Sequence, residues 1–189
     1  MLRVIVSIVG LLLASCAGVG ADTVYKLDSK TGVTIAYSQT PMVFYRDESG
    51  KAAHARSFVD MAPLEINRMG EFRYYLWLGI WNTLQEAAPG EARDGFESIV
   101  IFADGEPLSL ELSGWTASSI GASEPVYLKP VASAADAYYE ITIDHLRVIA
   151  AASDIRILTS GTRPQSYELW DQQGAARSSL FEFLNKSVY

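Results

Sequence analysis

The stretch EFRYYLWLGIW, residues 71–81, is the most apolar part of the chain after its first fifteen residues. In a β-strand, alternate side chains point to opposite faces. One face would carry Phe72, Tyr74, Leu76, Leu78 and Ile80, and the other Arg73, Tyr75, Trp77 and Trp81. Because both faces are apolar beyond Tyr75, this segment is predicted to be the central strand of a sheet.

Further strand patterns lie on both sides of this segment. Before it, they cover residues 33–37, 42–46 and 55–67, and after it residues 98–103 and 108–112 flank an Asp104-Gly105-Glu106 turn, which is typical of a hairpin. Beyond Val126, strands are predicted at 138–143, 155–159 and 167–170. They are interspersed with a helix at 145–152, capped by Asp144, and a second helix within 172–187. The predicted fold is α+β, a largely antiparallel sheet (a meander) with the two C-terminal helices packed on it, forming a single domain over residues 31–189.

The first residues have the pattern of a signal peptide. Arg3 precedes an uncharged run over residues 4–15, which is too short to span a bilayer. Leu13-Ala14-Ser15-Cys16 resembles the lipobox of bacterial lipoproteins. That resemblance implies removal of residues 1–15, a diacylglycerol on Cys16, acylation of the new amino terminus by a chain such as palmitate, and a tether over residues 16–30. Because no acidic residue directly follows Cys16, it also implies an outer-membrane location at the periplasmic face.

A rival prediction is ordinary secretion. Val19-Gly20-Ala21 has the small-residue spacing of a general cleavage site, and cleavage after Ala21 would release a soluble periplasmic protein. In a third interpretation, Cys16 is only an apolar residue of the signal peptide.

Charge and composition exclude several functions. The net charge of −7 argues against binding to nucleic acid, whose phosphates an acidic surface repels. With a single cysteine and with His54 and His145 as the two histidines, we expect no disulfide, no metal site and no cofactor. Nucleotide-binding glycine loops and a nucleophile elbow are absent from the sequence.

Two groups of residues remain as candidates for function. Tyr74, Tyr75, Trp77 and Trp81 form a candidate binding surface, since aromatic faces stack on sugars, although packing in the core and the sheet is the favoured explanation. Five acidic residues are candidates for the paired carboxylates of a glycan hydrolase: Glu65, Glu71, Asp94, Asp104 and Glu106.

The expected function is therefore a non-enzymatic binding or scaffolding module, anchored to the membrane through the lipid on Cys16, with an envelope protein or a glycan as its partner. The alternatives are an envelope hydrolase with a carboxylate pair and a soluble periplasmic carrier with an apolar pocket. Residues 142–157, TIDHLRVIAAASDIRI, resemble stretches of uncharacterised envelope proteins, which implies no activity.

Overall fold

The computed structural model describes residues 23–48, 55–83, 91–170 and 174–187. These residues form ten β-strands and two α-helices. The strands are β1 (Thr23–Asp28), β2 (Val33–Ser38), β3 (Met42–Asp47), β4 (Arg56–Arg68), β5 (Glu71–Asn82), β6 (Ser98–Ala103), β7 (Glu106–Gly114), β8 (Ala135–Ile141), β9 (Ile155–Thr159) and β10 (Ser166–Leu169). The helices are α1 (Ile143–Ala151) and α2 (Gly174–Lys186). The expected α+β class is confirmed.

The sheet is not a meander, and that part of the prediction is wrong. Its strands follow the order β4-β3-β10-β9-β6-β7-β8-β5, and β5 pairs again with β4, so eight strands close into a barrel. The β-ladders are antiparallel throughout the described residues. Closure depends on β10, which joins β3 by the register pairs Glu168↔Tyr45 and Leu169↔Phe44. Closing the sheet removes the exposed strand edges that an open sheet would leave.

Strand β4 is long enough to pair with two different strands along the same edge. Its first half pairs with β3 from Arg56 to Met61, and its second half pairs with β2 from Leu64 to Asn67. The β1–β2 hairpin therefore extends the sheet beyond the barrel. Because β1 pairs with β2 alone, it is an edge strand.

Both helices lie at the barrel end where β8 and β10 finish. Helix α1 begins two residues earlier than predicted, at Ile143, and Thr142 rather than Asp144 is its N-cap. The Thr142 hydroxyl accepts a hydrogen bond from the His145 amide at 3.1 Å, whereas Asp144 pairs with Arg147 in the first turn. A residue with extended backbone just before the helix is the one that can cap it. Neither helix is long and apolar enough to cross a bilayer.

The two faces of the sheet are buried in different ways. The inner side is filled by large side chains such as Phe44, Leu78 and Tyr139, and by apolar residues of both helices. On the outer side, residues 115–134, here called the cover segment, pack over parts of β2, β4, β5 and β8. The outer cluster comprises Val33, Ile35, Ala62, Leu64, Ile66, Tyr75, Trp77, Ala117, Ile120, Ala122, Tyr127 and Tyr138.

Candidate functional site

Four aromatic side chains form a continuous strip on the outer face of the barrel, here called the aromatic row. Tyr45, Phe58 and Trp81 lie side by side in the register of β3, β4 and β5, and Trp170 follows β10. Phe58 stacks on Trp81 with ring centroids 4.3 Å apart, and Trp170 meets Tyr45 edge-on at 5.0 Å. All four rings are half-buried, so part of each remains accessible to a ligand. Neighbouring aromatic rings that stay partly accessible are a candidate binding surface.

A cation lies over one end of the aromatic row. The Arg56 guanidinium lies 4.9 Å from the centroid of Trp170 and 5.4 Å from that of Tyr45. Its Nε donates to Asp47 Oδ1 at 2.8 Å. These contacts hold Arg56 over the rings and pair its charge with Asp47, so the guanidinium covers part of the Trp170 and Tyr45 faces at this end of the row.

A carboxyl group borders the aromatic row. Asp60 follows Phe58 by two residues on the outer face of β4, and its Oδ2 accepts a hydrogen bond from Trp81 Nε1 at 3.2 Å. Partial burial raises the pKa of Asp60 to about 6, although the Trp81 hydrogen bond acts in the opposite direction. A carboxyl group that titrates near neutral pH beside a cleft is a candidate functional group.

The cleft lies on the other side of Asp60, between β2 and the cover segment. Its volume is about 550 Å³, and its walls include Tyr37, Trp77 and Tyr127. Tyr127 stacks on Trp77 with centroids 4.2 Å apart and meets Tyr37 edge-on at 5.6 Å. Leu128 stands at the edge of the cleft and is 95% exposed. Asp60 therefore connects two aromatic surfaces, the row and the cleft.

A second carboxylate, Asp136, lies on the same face across one strand. Asp60 and Asp136 are both register partners of Gly79. The Trp77 ring covers this glycine so closely that a Cβ there would lie 2.6 Å from the indole. Trp77 Nε1 donates to Asp136 at 3.0 Å, and Lys129 Nζ lies 3.5 Å from the same carboxylate. The Trp77 indole thus lies between the carboxylates of Asp60 and Asp136, and Asp136 is already paired with Trp77 and Lys129.

The predicted aromatic group is divided by the structure. Tyr74 lies on the opposite face from the other three and donates its hydroxyl to Ser187 O at 3.1 Å. Tyr75 and Trp77 are 4% and 2% exposed, since the cover segment packs on them. Trp81 alone belongs to the aromatic row. Cys16 and His54 lie outside the described residues.

The five acidic residues considered for a hydrolase do not converge. Glu65 is buried on the inner side opposite Tyr74, where burial raises its pKa. Asp104 accepts hydrogen bonds from the Ser153 and Asp154 amides, which lower its pKa. The other three lie apart: Glu71 pairs with Arg73, Asp94 lines a cavity at the barrel end opposite the helices, and Glu106 is exposed at a hairpin. Within the described part of the chain, histidine, cysteine and acidic side chains form no group of three that would bind a metal.

Sequence reasoning missed Tyr45, Phe58, Asp60 and Trp170. All four lie in segments whose residues predict strands, so their alternation is visible in the sequence. What was not visible is the register, which places Phe58 between Tyr45 and Trp81. Comparison with known proteins adds no further residue, since no family model, curated protein or solved structure matches this chain.

Proposed function

We propose that this protein is a non-enzymatic binding module, held at the periplasmic face of the outer membrane by lipid on Cys16, whose aromatic row binds a glycan of the envelope. The observation that carries the proposal is the aromatic row, Tyr45, Phe58, Trp81 and Trp170, with Asp60 beside it. Anchoring is supported by the Leu13-Ala14-Ser15-Cys16 motif at the end of the uncharged run.

The chemistry of the row matches that of a sugar. The C–H faces of a sugar ring stack on aromatic rings, and a carboxylate accepts hydrogen bonds from its hydroxyl groups. Trp81 offers an accessible ring, and Asp60 lies at hydrogen-bond distance from that ring's nitrogen. A chain of sugars that lies along the row would therefore meet stacking surfaces and a hydrogen-bond acceptor together.

The two alternative functions have less support. A glycan hydrolase requires an acid and a base with access to one bond, whereas Trp77 stands between Asp60 and Asp136 and occupies the latter. A carrier for an apolar ligand requires a roomy interior, whereas large side chains fill the inner side of the barrel. Asp60 and Glu65 each have a raised pKa, which suits a general acid, but Glu65 is buried on the inner side of the barrel and Asp60 lacks a second free carboxylate beside it.

The glycan proposal is tested with chitohexaose as a soluble probe and with isolated sacculi. The full chain, purified from membranes in detergent, should bind chitohexaose, and Trp81→Ala and Trp170→Ala should each weaken binding about tenfold, as expected for one lost stacking contact. The matched control is Trp115→Ala, which removes a half-buried indole that packs against Arg93 instead. The proposal would be overturned if neither chitohexaose nor sacculi bound. An equal loss of affinity in the Trp115→Ala variant would overturn it as well. Cleavage of chitohexaose that disappears in Asp60→Asn would favour the hydrolase.

The anchor is tested separately by intact-mass analysis of the membrane fraction. The native chain should begin at Cys16 and carry the mass of its acyl chains. The Cys16→Ala variant should be missing from the membrane fraction. A native chain that begins at Asp22 without added mass would show ordinary secretion instead. Glycan binding and anchoring can thus fail independently.

A further inference from the structure

The barrel has a polar cavity at the end opposite its helices. Here β3 and β5 finish and β4 and β10 begin, and the cavity between them measures about 280 Å³. This volume lies near the lower limit of small-molecule sites and suits a compound the size of one sugar ring. Its lining combines apolar Ile80 and Phe96 with polar side chains of Arg46, Asn82 and Gln165.

The charges of the cavity are largely balanced. Arg46 Nη2 lies 2.5 Å from Glu48 Oε1, and the Ser57 hydroxyl donates to the same carboxylate oxygen. Tyr167 donates its hydroxyl to Gln165 Oε1 at 3.2 Å. Because Glu48 already neutralises Arg46 and Asp94 adds a further negative charge to the lining, an anionic ligand is disfavoured.

Two buried polar atoms in the residues that line this cavity have no partner among the described residues: Arg46 Nε, a donor, and Asn82 Oδ1, an acceptor. Buried polar atoms are nearly always hydrogen-bonded, and each unpaired one is costly. Neither atom has appreciable accessible surface, so the Asn82 and Arg46 side chains must turn to bring these atoms to a ligand in the cavity, and the terminal torsion of an asparagine is soft. A hydroxyl group both donates and accepts, whereas a carboxylate only accepts and an ammonium only donates.

We propose that this cavity binds a neutral, hydroxyl-rich molecule the size of a single sugar ring, which pairs with Arg46 Nε and Asn82 Oδ1. Trp81 of the aromatic row also lines this cavity, but Arg46 and Asn82 do not belong to the row, so the proposal does not rest on the function proposed for the row.

The test compares three ring sugars of similar size and different charge: glucose, glucuronate and glucosamine. Binding to the full chain in detergent is measured by titration calorimetry and by the shift in melting temperature. Glucose should bind and raise the melting temperature, and glucuronate and glucosamine should each bind at least tenfold more weakly. Failure of glucose to bind, or tighter binding of either charged sugar than of glucose, would overturn the proposal.

Two variants test the unpaired atoms themselves. Asn82→Leu removes the acceptor and should lower the affinity for glucose about tenfold, the factor for one hydrogen bond, without lowering stability. Arg46→Lys keeps the positive charge beside Glu48 but removes the Nε donor, so it should weaken glucose binding. This variant tests the proposal independently if Asn82→Leu fails to fold. The matched control is Asn185→Leu, at an exposed asparagine of α2 at the other end of the barrel. Unchanged affinity in Asn82→Leu and Arg46→Lys would contradict the assignment.

Discussion

At the scale of single residues, Asp60 connects the binding surface to the stability of the fold. Burial raises its pKa to about 6 in the folded protein, whereas an aspartate in an unfolded chain titrates near 3.9. The folded state therefore holds this proton more tightly than the unfolded state does. The contribution of Asp60 to stability is full below about pH 4 and is lost as the pH rises through about 6.

Replacing Asp60 by asparagine should remove this pH dependence. The variant keeps an oxygen that can accept from Trp81 Nε1 but carries no charge. We expect Asp60→Asn to be more stable than the wild type by about 1–2 kcal/mol at pH 8 and equal to it at pH 4, from the size of the pKa difference and the partial exposure of the group. Urea unfolding at both pH values measures this. Glu106→Gln, at an exposed hairpin, should show no such difference, and an Asp60→Asn effect that is equal at both pH values would contradict the expectation.

Gly79 is a second residue at which one added carbon atom should change the stability of the fold. A Cβ at this position would lie 2.6 Å from the Trp77 ring, so Gly79→Ala must displace the indole from Asp136 and Tyr127. Overpacking of this kind costs about 1–3 kcal/mol, measured as a lower free energy of unfolding in urea. Gly174→Ala, at the start of α2, serves as the control, because a Cβ there meets nothing within 4 Å and alanine should not lower stability in a helix. Equal effects of the two substitutions would show that Trp77 moves freely.

At the scale of elements, the junction of β8 and α1 offers a direct test. Thr142 ends the extended chain and caps α1 through its hydroxyl. Thr142→Ala should lower the free energy of unfolding by about 1 kcal/mol, whereas Thr142→Ser retains the oxygen and should lose much less. Thermal or urea unfolding of the two variants distinguishes them. A serine variant as unstable as the alanine variant would show that the methyl group matters, not the cap.

The sequence is most informative about the individual strands and helices. Alternation over residues 71–81 predicted β5, which ends one residue later at Asn82, and the Asp104-Gly105 turn predicted the β6–β7 hairpin. These signals are local, since each depends on neighbours within one strand or turn. The start of α1 was misplaced because Thr142 is a good strand residue and a good cap at once.

At the scale of the whole molecule, the barrel is closed by a short ladder between β3 and β10. The β3–β10 ladder has two register pairs, whereas β4 and β5 share twelve. We expect hydrogen exchange of the Trp170 amide, which donates to Val43 O at 2.8 Å, to proceed through a local opening of lower free energy than exchange in β4–β5. Exchange followed residue by residue by NMR under native conditions measures both. Equal protection of the two ladders would mean that the barrel opens only by global unfolding.

Closure of the barrel could not be predicted from the sequence. The pairing Tyr45↔Glu168 joins strands that are far apart along the chain, and alternation within each strand does not identify its partner. For the same reason, Trp77 was considered for a binding surface although the cover segment buries it. The candidate site was therefore only partly predictable. Trp81 was identified, and its neighbours in the aromatic row depend on contacts between distant segments.

The position of β1 outside the barrel has a mechanical consequence. Any load pulling on the chain ahead of Thr23 is transmitted first to the six β1–β2 register pairs. These pairs lie outside the closed ring, so the hairpin can peel away while the ring of strands keeps its shape. The β1–β2 hairpin would therefore yield to such a load before the strands that carry the aromatic row.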